Sequence, residues 1–213
     1  MVNGNFIQYC LKIQKVVGDK LPGEEAHLRM APVNRPFKYI DQYTKDAGVL
    51  ILLYHKKNEI HTVLIKRPVY NGVHSGQISF PGGKEENSDS NIIDTALRET
   101  EEEIGIDKEK HNIIGNLTPL YIPISNIKVH PVISYIPDTP NFKPDKKEVE
   151  NIIEIKIFDL LNPESSITDQ NFYENNRMIR APYFKLGDIK IWGATAMIIS
   201  EFIEVLESVS FSQ

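Results

Sequence analysis

The stretch that most constrains this chain is RETEEEIGI at 98–106, which puts Glu99, Glu101, Glu102 and Glu103 within five consecutive positions. Like charges at i,i+3 and i,i+4 destabilise an isolated helix, and negative charge near a helix C-terminus opposes the dipole. Such a helix requires something positive held against it. A divalent cation that in turn holds a diphosphate meets that requirement. The double-glycine turn of FPGG at 80–83 stands just upstream, and Gly105 supplies a C-cap.

With residues 91–104 wound at ~100° per residue, Ile93, Leu97, Thr100 and Ile104 fall in one stripe, predicted to face the core. Glu99, Glu102 and Glu103 fall on roughly the opposite side, with Glu101 nearer the edge of the stripe. Three carboxylates facing one point make an all-oxygen ligand set of the kind that suits Mg²⁺ or Mn²⁺. Arg98 sits at i,i+4 to Glu102 and within reach of Asp89 or Asp94, so it is expected to orient carboxylates and not to touch substrate. The bare turn at Gly82 and Gly83 lets a main-chain carbonyl approach the cation. A glutamate run is otherwise a solvated helix face; the glycine turn and Arg98 weigh against that reading here.

Composition narrows the class. The net charge of −5 over 213 residues argues against a general nucleic-acid binder, which needs surplus Lys and Arg. Cys10, the single cysteine, excludes a disulfide framework and a multi-cysteine metal site. On an amphipathic segment it is expected to be a small core residue. Lys12, Gln14 and Lys15 interrupt the apolar residues near the N-terminus, and no apolar run approaches the ~20 residues that span a bilayer. The expectation is a cytoplasmic protein with no membrane partner and no nucleic-acid partner.

Along the chain, residues 1–20 space Phe6, Ile7, Cys10, Leu11, Ile13 and Val17 as an amphipathic helix docking on the main body, with a homodimer contact as the alternative. Pro22, Pro32 and Pro36 make 21–44 a wrapped arm. Strands are predicted at 47–54 and 60–67 as a hairpin, at 77–80, at 113–122, at 129–136 and at 152–157. A helical turn follows at 158–161, ended by Pro163. Residues 183–186 and 189–192 form a hairpin through Gly187 and Asp188, and 193–209 a closing helix. The expected class is α+β, helices layered on a mixed sheet. We expect an N-terminal helix and extended arm over 1–45 and the main domain over 46–213.

RETEEEIGI resembles the REUXEEXGU half of the Nudix box residue for residue, with Thr100 at the apolar position. Upstream, Gly83 lies one residue farther from Arg98 than in that pattern, and Asp89 replaces its first glutamate. VLIKRPVYNGVHSGQISFPGG at 63–83 is similar to the signature of the coenzyme A pyrophosphatase subgroup, with Gly72 where that subgroup has Arg and Pro68 in place of a small polar residue. Segments 146–161 and 191–196 are similar to its downstream parts. The resemblance implies a Nudix-type α/β/α sandwich with the glycine loop–helix–loop.

It implies a pyrophosphohydrolase that cleaves coenzyme A or acyl-CoA into 3′,5′-ADP and (acyl-)4′-phosphopantetheine. Implied metal ligands are Glu99, Glu102, Glu103 and the Gly83 carbonyl, holding Mg²⁺ or Mn²⁺. Glu148 is the candidate general base, and Arg67, His74, Gln77 and Lys84 are candidate substrate contacts. Two alternatives stand beside this. One is a broader Nudix hydrolase of ADP-ribose, NADH or dinucleoside polyphosphates, kept open by Tyr121 and Pro123. The other is a non-catalytic Nudix-fold ligand-sensing module, against which the intact glutamates argue.

Overall fold

The computed structural model describes residues 2–35, 40–69, 75–162, 168–174 and 177–209. In order, the chain forms α1 (Val2–Asp19), α2 (Glu24–Leu28), β1 (Lys45–Lys56), β2 (Glu59–Lys66), β3 (Ile78–Ser79) and β4 (Gly82–Lys84). Then come α3 (Ile92–Ile104), a 3₁₀ turn (Lys108–Lys110), β5 (Asn112–Asn116), β6 (Leu120–Ile122), β7 (Ile127–Ile136) and β8 (Asn151–Lys156). The last part comprises α4 (Ile157–Leu161), β9 (Thr168–Glu174), β10 (Arg177–Leu186), β11 (Ile189–Trp192) and α5 (Gly193–Ser208).

The unbroken apolar run of β1 marks a strand buried on both faces, and the sheet is built around it. Ile51 and Leu53 join a cluster with Phe6, Cys10 and Ile13 of α1 and Phe202 and Leu206 of α5. Leu50, Leu52 and Tyr54 point the other way, into a cluster with Ala96 and Ile104 of α3. β1 pairs antiparallel with β2 and β4 and parallel with β7, within an eight-stranded mixed sheet. Helices on both faces of a mixed sheet give the expected α/β/α layering. α1 docks on the body, and burial pushes the Cys10 thiol up to about 12, as befits a core residue and not a nucleophile.

Several local expectations are corrected. The run 113–122 splits into β5 and β6 because the Thr118 amide is taken by the Glu201 carboxylate at 3.1 Å and Pro119 has no N–H to give. The arm contains a helical turn, α2, which buries Ala26 and His27. β9 was not expected; its polar sequence shows no alternation, and β10 supplies the ladder that makes it a strand. It completes a second, three-stranded sheet in the order β11-β10-β9.

The buried face of α3 is also rotated from the expected stripe. Thr95, Ala96, Thr100, Glu103 and Ile104 are buried, whereas Ile93 and Leu97 are only partly so. The cause lies on β1. A Cβ at Gly48 would stand 2.7 Å from the Ile92 carbonyl oxygen and 2.9 Å from the Ala96 nitrogen, so only glycine admits the helix backbone this close. That approach carries Glu103 inward, off the solvent side to which its helical angle assigned it.

Candidate active site

The glycine turn is held as a strand edge. β4 pairs with β1 in the register Val49↔Gly82, Gly48↔Gly83 and Ala47↔Lys84, and Leu50 N–H donates to the Pro81 carbonyl at 2.8 Å. Gly82 has φ 149°, and a Cβ there would stand 2.3 Å from the Gly48 oxygen. At Gly83 a Cβ would lie 2.3–2.4 Å from all three carboxylate atoms of Glu99. The two glycines thus leave room for Gly48 below and for Glu99 above.

α3 begins at Asn91, whose side chain accepts from the amides of Ile93 and Asp94 at 2.9 and 3.1 Å, and ends on Gly105 at φ 71°. Between these caps, Arg98 gathers the site's acids. Its Nε and Nη2 donate to the two oxygens of Asp89 at 2.8 and 3.0 Å, and Nη2 also donates to the Lys84 carbonyl at 3.1 Å. Nη1 donates to Glu99 at 3.0 Å and Glu102 at 3.1 Å. Asp89 is further held by Thr95 Oγ1 and the Glu86 amide, both at 2.9 Å. The Arg98 hydrogen bonds keep the Asp89 carboxyl well below the usual range despite partial desolvation. Asp89 is thereby committed to Arg98. Sequence spacing showed Asp89 within reach, but it did not show that both oxygens are used.

Glu103 is almost fully buried, 1% exposed. Its Oε2 accepts from the Gly82 amide at 2.8 Å, while Oε1 lies 3.6 Å from Arg67 Nη1 and has no hydrogen-bond partner among the described residues. Desolvation pushes its pKa up to about 8, against the Gly82 amide and Arg67 and reinforced by Glu99 and Glu148. Burial likewise raises Glu99 above its ordinary value, with Arg98 opposing and Glu102 and Glu148 adding to the rise. Glu102 stays exposed. Glu148 is exposed too, on a loop pinned beside the site: Asp145 N–H donates to the Glu103 carbonyl at 3.0 Å and Glu150 N–H to the Lys66 carbonyl at 2.8 Å.

Among the described residues no three His, Cys, Asp or Glu side chains already stand as a metal cluster, and Arg98 and Gly82 N–H hold oxygens of Glu99, Glu102 and Glu103. The residues nevertheless fit a hard divalent cation. The donors are all oxygen, one buried carboxylate oxygen has no hydrogen-bond partner among the described residues, and the missing side chain at Gly83 lets the Glu99 carboxylate lie directly against the glycine turn.

The site opens into a pocket of about 1270 Å³. Its floor is one face of the sheet, including Ala47, Val49 and Val129, and Glu99, Gly82 and Gly83 stand at one side. Arg67, Gln77 and Lys84 line it, as does Pro123, which follows β6, while Tyr121 lies within β6. His74 lies outside the described residues. Sequence reasoning missed the walls. Pro32–Arg35 of the arm forms one, fastened by the Val33 amide to the Arg180 carbonyl at 2.8 Å. Trp192 belongs to another, stacked on Phe172 with ring centroids 4.5 Å apart.

A mixed sheet between helix layers, with a glycine turn leading into a glutamate-bearing helix, defines the class. The NUDIX domain model matches residues 44–175, and the chain belongs to the Nudix family. The subgroup resemblance is borne out by its relatives. The mouse protein named mitochondrial coenzyme A diphosphatase NUDT8 is 31% identical over 63% of this chain and 65% of its own length. The human protein of that name is 29% identical over 87% of this chain and 75% of its own length. The match therefore spans just under two thirds of the mouse relative. The Nudix hydrolase RenU from M. smegmatis shares the fold, with a TM-score of 0.55 at 12% identity over 86% of this chain and 97% of that one. No helix among the described residues is long and apolar enough to cross a membrane.

Proposed function

We propose that the protein hydrolyses coenzyme A or acyl-CoA, in the presence of Mg²⁺ or Mn²⁺, to 3′,5′-ADP and (acyl-)4′-phosphopantetheine. One observation carries this: Glu99 and the glycine turn open directly into a pocket whose described lining holds Arg35, Arg67, Lys84 and Arg180 against one acid, Glu99, in a protein of net charge −5. A cationic pocket in an acidic protein favours an anionic substrate. At about 1270 Å³ it exceeds the ~300–1,000 Å³ usual for small-ligand sites, which suits a substrate larger than a mononucleotide. Its apolar wall, with Ile122, Ile124, Met178 and Ile179, suits the uncharged arm of such a molecule. The name that those relatives carry supports the same substrate.

Glu99, Glu102 and Glu103, with the Gly83 carbonyl, are proposed to hold the cation. A bound divalent ion supplies charge neutralisation on the phosphate oxygens and acidifies a water. Arg98 holds Glu99 and Glu102 in position through Asp89. Glu148, on the loop pinned beside the site by the Asp145 N–H bond to the Glu103 carbonyl, is proposed to take the proton of the attacking water. Arg67 and Lys84 offset the diphosphate charge. We also propose a cytoplasmic setting, supported by the single buried thiol.

The test offers purified protein with Mg²⁺ or Mn²⁺ four substrates side by side: CoA, ADP-ribose, NADH and a diadenosine polyphosphate. CoA should be cleaved fastest. Cleavage of ADP-ribose far faster than CoA overturns the reading, and binding of either without turnover points to the ligand-sensing alternative.

A further inference from the structure

The four cations of the pocket are not equivalent. Arg67 faces Glu103 at 3.6 Å, and Arg180 pairs with Asp169 at 3.1 Å. Lys84 and Arg35 have no carboxylate within ion-pair distance among the described residues. Lys84 stands beside Gly83, at the glutamate end. Arg35 stands elsewhere: its Nη2 donates to the Tyr121 carbonyl and its Nη1 to Met197 Sδ at 3.8 Å. A thioether is a weak acceptor, and a guanidinium carries five N–H donors, so most of its hydrogen-bonding capacity is unspent. Arg35 is half-buried, and burial lowers its pKa, with Glu24 opposing.

The two unpaired cations are well separated. Ala47 is paired with Lys84 on one side and with Val129 on the other, and Val129 with Leu120. Lys84 and the β6 strand that holds Arg35 are therefore three interstrand spacings apart, about 14 Å.

A second feature converges on Arg35. Gly193, Ala194 and Thr195, the first turn of the 16-residue helix α5, line the same pocket, and no side chain caps them. Uncapped N-terminal amides and the helix dipole favour an anion. Met197, the residue that Arg35 touches, is only four residues from the start of α5, about 6 Å along the axis.

We propose that Arg35, together with the first turn of α5, forms a second anion subsite that binds a phosphate monoester on the nucleotide, remote from the diphosphate. This rests on the nucleotide reading above and deepens it: the 3′-phosphate becomes the group that the arm selects for. Residues 32–35 are then a specificity wall supplied from outside the matched family domain, which begins at residue 44. A guanidinium and a phosphate monoester make charge-assisted, bidentate bonds.

The test is calorimetric binding of 3′,5′-ADP and of AMP to wild type, Arg35→Gln and Arg35→Lys, with thermal melts of all three. Wild type should bind 3′,5′-ADP about 10–100-fold more tightly than AMP. Arg35→Gln should erase that ratio while leaving AMP affinity and Tm near wild type, and Arg35→Lys should restore part of it. Equal wild-type affinities overturn the proposal. So does an equal loss for both nucleotides in Arg35→Gln, which would mark Arg35 as an anchor of the arm only. Because no turnover is read, failure of the hydrolysis reading and failure of this subsite are told apart.

Discussion

Arg98 grips Asp89 with two hydrogen bonds, from Nε at 2.8 Å and Nη2 at 3.0 Å, and offers its remaining nitrogen to Glu99 and Glu102. The acid that replaces the first glutamate of the family pattern is thus the anchor of the arginine that orients the others. Asp89→Asn removes one anchoring acceptor and the charge. It should lower metal affinity and turnover by about 10–100-fold, the range for partners that orient ligands. Titration of Mn²⁺ beside steady-state rates checks this; unchanged affinity would mean that Arg98 is held without Asp89.

Glu103 is buried, and its charge is opposed by desolvation. Glu103→Gln retains an acceptor for the Gly82 amide and removes the buried charge. Turnover should fall by more than about 100-fold, beyond the range for indirect partners, while Tm holds or rises. The rate of 3′,5′-ADP formation and a thermal melt read the two effects, and Glu102→Gln should match the loss of turnover. Near-wild-type rates in either variant would sink the metal assignment.

Glu148 is exposed and its loop is fixed by backbone bonds, so its side chain can be changed without cost to the fold. Glu148→Gln should lower kcat by about 10²–10⁴-fold, as for loss of a general base. Metal affinity and Tm should stay put. An unchanged kcat would return Glu148 to the solvated surface.

Glu201 joins the arm to the body: it accepts from the Gly23 amide at 3.0 Å, His27 Nε2 at 2.9 Å and Thr118 Oγ1 at 2.6 Å. Burial alone would raise its pKa, but His27 and Thr118 outweigh burial and hold it below its ordinary value of 4.5. A carboxylate depressed on folding adds stability that is fully present above that ordinary value. The contribution is lost as pH falls through the lower folded value. Glu201→Ala should cost about 3–5 kcal/mol at neutral pH by leaving its donors unmet. Denaturant midpoints against pH should show the mutant's deficit shrinking as the medium is acidified below pH 4.5.

Much of this was legible in order along the chain. The apolar run of β1 announced a strand buried on both faces, the α5 spacing announced a closing helix, and Arg98 to Ile106 announced the chemistry. The pocket was not legible, because its walls come from Pro32–Arg35, β10 and Trp192, segments with no local pattern that marks them as neighbours. β9 was hidden for the same reason: its strand character comes from β10, across the hairpin.

The sequence by itself determined the carboxylate set, the glycine turn and the family they mark, since these depend on residue types at short, fixed spacing. Only the tertiary structure decided what each acid does. Helical angle put Glu103 opposite the core, yet Gly48 lets α3 settle so close to β1 that Glu103 is drawn under the sheet edge onto the Gly82 amide. Asp89 became an anchor and Arg35 a pocket cation by the same logic. Their partners are set by long-range packing, on which local periodicity carries no information.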